Sequence, residues 1–69
     1  MPFSSNIGKI MADKNITYEE LQYISKLGPD TIARARDNRI SSCKLETLEK
    51  IASALNVHVY ELFSYNKSN

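Results

Sequence analysis

The segment covering residues 17–39 constrains the fold most, because it contains two closely spaced helix-start signals. Thr17 and Glu20 have the Thr-x-x-Glu spacing of a capping box, which predicts a helix that begins there. Gly28 suits the non-helical position before a second helix, and Pro29 suits its first turn, where no N–H donor is needed. The segment therefore predicts two short helices joined by a tight turn.

The spacing of apolar residues extends the helical pattern to most of the chain. Helices are predicted over residues 5–14, 18–25, 29–37, 45–55 and 57–65. Ser4 or Ser5 is expected to cap the first helix. Asn15 and Asn38 are expected to end the first and third helices in the left-handed conformation. We interpret residues 39–44 as a loop.

The fourth predicted helix has the clearest amphipathic pattern. Leu45 and Leu48 are spaced to share its buried face, and Asn56 is expected to stop it. No segment shows the alternation of a strand over a convincing length. The sequence therefore predicts one all-α domain of five helices over residues 1–69. Its predicted parts include a helix-turn-helix at about 17–38 and a polar, frayed tail at 66–69.

The residue types exclude several functional classes. Cys43 and His58 are the single residues of their kinds, and a metal site needs more nitrogen or sulfur ligands than these two provide. The carboxylates form no paired constellation and no Gly-rich phosphate loop is present, so we expect neither an enzyme nor a cofactor. His58 is expected to cap the fifth helix instead.

The sequence also carries few signals for a particular cellular location. No apolar run reaches transmembrane length, and the N-terminal segment lacks the apolar core of a signal peptide. A single cysteine suits a reducing compartment. We therefore expect a cytoplasmic protein with no membrane partner. Because the chain ends at Asn69, we expect no effector-sensing domain and no small-molecule effector site.

The net charge of +1 is weak support for a nucleic-acid partner, but its distribution is uneven. Residues 26–44 contain five cationic and two acidic side chains, a local net charge of +3, whereas residues 1–25 and 45–69 each carry −1. A basic patch of this kind is typical of a surface that binds phosphate. A solvated helix face is the alternative explanation.

The third predicted helix has two chemically different sides. Ile32 and Ala35 fall on its inner side. Asp30, Thr31 and Arg34 project from the other side, which is the arrangement of a helix that enters the DNA major groove. The Arg34 guanidinium can bond guanine O6 and N7 together, and Thr31 can contact a thymine methyl group or donate to a base. Asp30 can accept from a cytosine amino group or favour the positive helix N-terminus.

Three stretches, taken in chain order, carry a family resemblance. Residues 16–21 read Ile-Thr-x-Glu-Glu-Leu, residues 31–34 read Thr-Ile-Ala-Arg, and residues 45–63 contain Leu-Glu-Thr-Leu, Ile-Ala-x-Ala-Leu and Glu-Leu. Together they resemble the lambda-repressor-like helix-turn-helix family, also called Xre or Cro/CI, over residues 7–63. The resemblance implies a five-helix DNA-binding domain whose third helix, about 29–38, reads the major groove.

The chain departs from the family pattern at the turn and between helices one and three. Lys26 stands where the family usually has Gly. Either Lys26 adopts a strained positive φ, at a cost of roughly 1 kcal/mol, or the turn changes shape and uses Gly28. Met11 and Arg36 stand where the family often has an Arg–Glu ion pair. Arg36 is therefore expected to contact phosphate or to find an acid such as Asp13.

The resemblance also implies which residues contact DNA. Tyr18 begins helix two, where its hydroxyl can reach a phosphate, and Pro29 replaces a base-reading Gln, which leaves only an apolar contact. The loop after the third helix follows the DNA backbone, so Arg39 and Lys44 are expected to neutralise phosphates. The full predicted set is Tyr18, Lys26, Pro29, Asp30, Thr31, Arg34, Arg36, Asn38, Arg39, Ser42 and Lys44.

The predicted function is a sequence-specific transcriptional regulator, in particular a repressor of a phage, mobile-element or bacterial operon. It is expected to bind double-stranded DNA as a homodimer, through the C-terminal apolar residues Val59, Tyr60, Phe63 and Tyr65. One alternative is a protein-interaction module of the same fold, antitoxin-like or regulator-binding, with weak or no DNA binding. Three departures from the family pattern keep it open: Lys26, Pro29, and Gln22, which stands where the family usually has a small Ala. The other is an architectural DNA binder without operator specificity, against which the mild net charge argues.

Overall fold

Apolar residues at helical spacing and local capping signals place most of the chain in helices. The structure, a computed structural model, describes residues 3–65 except for the side chain of Asn38, so the tail predicted at residues 66–69 lies outside it. Its elements are β1 (Phe3–Ser5), α1 (Ile7–Lys14), α2 (Tyr18–Ser25), α3 (Pro29–Arg36), a first 3-10 helix (Asn38–Ser42), α4 (Leu45–Leu55), a second 3-10 helix (Val59–Glu61) and β2 (Phe63–Tyr65). No helix in the described part is long and apolar enough to cross a membrane.

The predicted capping box starts α2. The Thr17 hydroxyl accepts from the Glu20 N–H at 3.1 Å, and the Glu20 carboxylate accepts from the Thr17 N–H at 2.9 Å. Hydrogen bonding with Thr17, first through its backbone N–H and then through its side chain, lowers the pKa of Glu20, because it favours the charged carboxylate. Two of the unpaired N–H groups at the start of α2 are therefore satisfied by its own sequence.

The turn between α2 and α3 takes the strained form at Lys26. Lys26 has φ 59° and ψ 31°, and its N–H donates to the carbonyl of Gln22 at 2.9 Å. Gly28 has φ −73° and caps α3 in an extended conformation, with Pro29 at the first helical position as predicted. The turn thus keeps its usual left-handed geometry with a lysine in the glycine position. Asn15 is left-handed as predicted, and Asn56 stops α4.

The N-terminus differs from the prediction, because a strand precedes the first helix. α1 begins at Ile7 rather than at residue 5, and Asn6 occupies its cap position without a side-chain capping bond. Ser5 does serve the helix start, since its hydroxyl accepts from the Ile7 N–H at 3.3 Å, but it lies in β1. A three-residue strand is too short to be distinguished from a helix start by periodicity.

The prediction of a fifth α-helix is wrong. Residues 59–61 form only a short 3-10 helix, and β2 follows and pairs antiparallel with β1, with Phe3 opposite Tyr65 and Ser5 opposite Phe63. His58 takes a cap position as predicted, but on this 3-10 helix, where its N–H donates to the Glu61 carboxylate at 2.7 Å. Within residues 3–65 the fold therefore has four α-helices and a two-stranded sheet, and it is not strictly all-α.

The end of the third helix also differs from the prediction. Asn38 does not adopt the left-handed conformation, because α3 stops at Arg36 and Asp37 follows in an extended conformation. The Asp37 carboxylate accepts from the Arg39 N–H at 2.7 Å and so caps the first 3-10 helix. The expected loop at residues 39–44 is therefore mostly helical.

The core is formed by the inner faces of the four helices, one residue of the first 3-10 helix and one residue just before β2. Its buried apolar residues are Ile7, Met11, Leu21, Ile32, Ala35, Ile40, Leu48, Ile51, Ala52, Leu55 and Leu62. Leu45, predicted to share the buried face of α4, is instead 70% exposed. As the first residue of α4, one turn ahead of Leu48, it lies at the rim of a shallow apolar groove of about 220 Å³ that Phe3 and Phe63 also line.

Candidate nucleic-acid interface

α3 presents an apolar side to the core and a polar side to solvent. Ile32 and Ala35 are fully buried, whereas Asp30 and Arg34 are exposed and Thr31 is half-buried. This is the two-sided arrangement that the sequence predicts. Two buried side chains anchor the helix, so the Arg34 guanidinium stands in solvent on a backbone that is held in place.

Tyr18 at the start of α2 is tied to the start of α3. Its hydroxyl donates a hydrogen bond of 2.6 Å to the carbonyl of Pro29. The sequence predicts that this hydroxyl contacts a phosphate. Phosphate oxygens accept hydrogen bonds, and the single hydroxyl proton of Tyr18 is already donated within the chain. A phosphate contact from this group therefore requires that the bond to Pro29 be broken.

The guanidinium of Arg36 lies over the Tyr18 ring, with 5.3 Å between its Cζ atom and the ring centroid. It also lies against Gly8 of α1, where the methyl group of an alanine would meet the Arg36 Nη2 atom at 3.6 Å. The predicted acidic partner Asp13 makes no ion pair with Arg36 within residues 3–65. Arg36 thus stacks on α2 through the Tyr18 ring and lies close to α1 at Gly8.

Arg39 forms an ion pair with Asp37, which was not among the sequence-based predictions. The Arg39 Nη2 and Nε atoms lie 2.9 Å and 3.0 Å from the Asp37 Oδ2 atom. The Arg39 side chain lowers the pKa of Asp37, first by its hydrogen bonds and then by its charge. The same partnership raises the pKa of Arg39. Part of the cationic charge expected at phosphate is therefore matched inside the chain.

Arg34 shares this neighbourhood, because its charge also contributes to lowering the pKa of Asp37. The half-buried thiol of Cys43 lies near the same charges, and burial raises its pKa more strongly than Arg34 lowers it. Asp37 is therefore bonded to the Arg39 guanidinium and is also influenced by the charge of Arg34. The Asp37 carboxylate offsets part of this positive charge.

The remaining predicted contacts surround α3. Lys26 is exposed at the turn before it, and Lys44 is exposed at the cap position of α4. The Ser42 hydroxyl donates to the Arg39 carbonyl at 2.6 Å and so closes the first 3-10 helix. Asn38 contributes the first residue of that helix, and its side chain is outside the described part. Lys26 and Lys44 therefore place one exposed cation before α3 and one after it in the chain.

The predicted dimer residues are partly used within the chain. The Phe63 and Tyr65 rings pack on Phe3, at 6.0 Å and 5.1 Å between centroids. Tyr60 stacks on His58 at 5.1 Å with an interplanar angle of 6°. Tyr60 and Tyr65 are nevertheless 70% and 60% exposed. Val59 is half-buried against the core.

Two contacts at this site could not be predicted from the sequence. The Tyr18–Pro29 hydrogen bond and the Tyr18–Arg36 stack join residues on different helices, and no local spacing signals either one. The Asp37–Arg39 pair has a weak signal, since an Asp two residues before a backbone N–H often accepts from it. Within residues 3–65 no group of three or more His, Cys, Asp or Glu side chains is placed to hold a metal ion.

Comparison with known proteins agrees with this geometry. The family model described as the Cro/C1-type HTH DNA-binding domain matches residues 6–68 of the chain. No curated protein and no solved structure gave a significant match. The match includes all four α-helices and both flanks of α3.

Proposed function

This chain belongs to the family of Cro/C1-type helix-turn-helix DNA-binding domains, and on that premise we propose that it is a sequence-specific transcriptional regulator acting as a repressor. The observation that carries the proposal is the anchored, two-sided α3. Its inner side is fully buried at Ile32 and Ala35, and its outer side leaves Arg34 in solvent. A rigid helix with an exposed guanidinium is what base readout in the major groove requires.

The outer side of α3 supplies the readers in this proposal. Arg34 bonds a guanine through O6 and N7, and Thr31 contacts a thymine methyl group or donates to a base. Asp30 accepts from a cytosine amino group, and Pro29 makes only an apolar contact. Discrimination therefore rests on few side chains, and each correct contact contributes roughly 1–3 kcal/mol against the wrong base.

The flanks of α3 supply the phosphate contacts. Lys26 and Lys44 neutralise phosphates on either side, while Arg39 does so in competition with Asp37. The backbone of the 3-10 helix that Asn38 begins follows the DNA strand. Contacts of this kind fix the register without reading sequence, and they make affinity fall steeply with salt.

We propose a homodimer with half-sites about one helical turn apart. The exposed rings of Tyr60 and Tyr65 support a contact at the C-terminal face, with Val59 and Phe63 beside them. A repressor of this type occupies a promoter of a phage, mobile-element or bacterial operon, in the cytoplasm, and blocks polymerase. Sedimentation with and without DNA tests this part, and a monomer at high concentration in both cases contradicts it.

The second candidate is a protein-interaction module in which the same C-terminal face binds another protein. The exposed Tyr60 and Tyr65 favour it equally, because exposed aromatic side chains are enriched at protein interfaces. The matching of Arg39 by Asp37 also weakens the cationic surface. In this case DNA binding is absent or has no sequence preference.

The test begins with selection of bound sequences from a random DNA pool, followed by gel shifts at two salt concentrations. Arg34→Ala is compared with Lys50→Ala, which removes one exposed positive charge from α4, outside residues 26–44. We expect Arg34→Ala to lower affinity for the selected site about 5- to 150-fold, in line with roughly 1–3 kcal/mol, and to relax preference at one base pair. Absence of enrichment in the pool, or equal behaviour of the two variants, favours the second candidate.

A further inference from the structure

We propose that Arg36 is a positioning residue of the DNA-reading helix and not a phosphate ligand. Its guanidinium holds the Tyr18 ring, and the Tyr18 hydroxyl holds the start of α3. The inference rests on the proposed function, since it concerns how the groove-reading helix is oriented. It assigns to Arg36 and Tyr18 a shared role different from the separate phosphate contacts that the sequence predicts.

Tyr18 of α2 contacts residues at both ends of α3. Pro29 and Arg36 are the first and last residues of this eight-residue helix. The Tyr18 hydroxyl donates to the Pro29 carbonyl at 2.6 Å, and the Arg36 Cζ atom lies 5.3 Å from the centroid of the same ring. One side chain of α2 therefore contacts both ends of α3. Rotation or sliding of α3 against α2 breaks at least one of these contacts.

The Arg36 guanidinium also lies close to Gly8 of α1. A methyl group at Gly8 would lie 3.6 Å from Nη2 and 3.8 Å from Nε of Arg36, which is ordinary contact distance. A methyl group at position 8 would thus fit beside the guanidinium and pack against it. The Arg36 guanidinium therefore lies close to α1 as well as over the Tyr18 ring.

Arg36 interacts with an aromatic ring, whereas Arg39 interacts with a carboxylate. Within residues 3–65 the ion pair is Arg39–Asp37, so Arg36 is stabilised by a ring face and by solvent. A cation–π contact at an exposed site corresponds to about a two- to fivefold change in an equilibrium constant. This is enough to bias the orientation of a short helix, and turning the guanidinium towards a phosphate would give it up.

The test uses the DNA site selected from the random pool, non-specific DNA and the intact chain. The variants are Arg36→Met, Tyr18→Phe and their combination, with Lys44→Met as the matched removal of one flanking cation. We expect Arg36→Met to lower affinity for the selected site about two- to fivefold while leaving non-specific affinity and the salt dependence unchanged. Lys44→Met is expected to weaken both kinds of binding and to reduce the slope of log K against log salt by about 0.9. The combined variant is expected to lose less than the product of the single losses.

Two results overturn the proposal. One is a reduced salt slope and an equal loss on both DNAs for Arg36→Met, because that is the behaviour of a phosphate ligand. The other is a combined variant whose loss of affinity equals the product of the losses of Tyr18→Phe and Arg36→Met, because independent contacts behave in that way. Chemical shifts measured without DNA keep the structural part separate: Tyr18→Leu is expected to move the Arg36 side-chain resonances, and unchanged shifts overturn the stack. If the wild-type chain shows no site preference, the proposed function fails and the role in DNA reading fails with it, although the shifts still report the stack.

Discussion

The hydroxyl of Ser5 donates a hydrogen bond of 2.6 Å to the carbonyl of Ala35 and so joins β1 to the last turn of α3. The last four carbonyls of a helix have no partner within it, and this bond satisfies one of them. The same oxygen accepts from the Ile7 N–H at 3.3 Å. A single side chain therefore serves the end of α3 and the start of α1.

Ser5→Ala tests this double role. We expect it to lower the free energy of unfolding by about 1–2 kcal/mol, because it leaves a partly buried carbonyl without its donor. The measurement is the urea midpoint at constant slope. Ser53→Ala, an exposed serine inside α4, is the matched control and is expected to cost nothing, since Ala is the better helix former. Equal losses in both variants would contradict the assignment.

Lys26→Gly separates stability from DNA affinity at the turn. Lys26 has φ 59°, a conformation that glycine adopts without the penalty of a side chain. We expect the variant to be more stable by up to about 1 kcal/mol, and to bind DNA more weakly because one flanking cation is lost. Lys26→Ala keeps the strain but loses the charge, so it is expected to share the weaker binding without the gain in stability. If the two variants have the same urea midpoint, strain at Lys26 is not relieved by glycine.

Asp37→Asn frees the guanidinium of Arg39. The amide oxygen of Asn can still accept from the Arg39 N–H, so the cap of the first 3-10 helix is kept while the negative charge is removed. We expect non-specific DNA affinity to rise and the salt slope to steepen by up to about 0.9. Asp13→Asn makes the same change of charge on an exposed site of α1 and is expected to have a smaller effect. A loss of affinity in Asp37→Asn would show that the ion pair presents Arg39 to DNA instead of competing for it.

Glu20 and Asp37 are expected to make the fold less stable in acid. In the folded chain, hydrogen bonds from Thr17 hold the pKa of Glu20 below 4.5, and those from Arg39 hold the pKa of Asp37 below 3.8. Each carboxylate adds stability that is present above its unfolded pKa and is lost as the pH falls through its folded pKa.

We therefore expect the urea midpoint to be level between about pH 7 and pH 5 and to decline below about pH 4.5. Glu20→Gln keeps a hydrogen-bond acceptor but removes the titrating group, so its decline is expected to be shallower. Glu49→Gln on the exposed side of α4 is the control, to which the structure assigns no hydrogen bond among residues 3–65. Parallel declines in wild type and Glu20→Gln would remove Glu20 from the explanation.

The parts of the fold that are encoded locally were predictable from sequence. The Thr17–Glu20 capping box, the Gly28–Pro29 start and the left-handed Asn15 depend on residues within one helical turn of each other. The two-sided α3 follows from spacing alone. The left-handed turn at Lys26 was only half predictable, because the sequence leaves two turn geometries open, one strained at Lys26 and one that uses Gly28.

The remaining parts depend on distant partners. β1 and β2 are three residues each and come from opposite ends of the described chain, so neither has a periodic signal of its own. The apolar residues that suggest a fifth helix instead place Phe63 and Tyr65 against Phe3. At the candidate site, the sequence predicts which side chains face outward, but not that Arg39 and Tyr18 are already engaged within the chain.

The pairing of β1 with β2 has a kinetic consequence. The two strands are joined only through the rest of the described chain, and their pairing brings distant residues together, whereas each helix forms from local contacts. We therefore expect the ribbon to assemble after the helical body and to open before it under thermal motion. When β1 detaches, Ser5 leaves the carbonyl of Ala35 as well. Opening of this ribbon thereby frees a carbonyl in the last turn of α3, the helix proposed to read the groove.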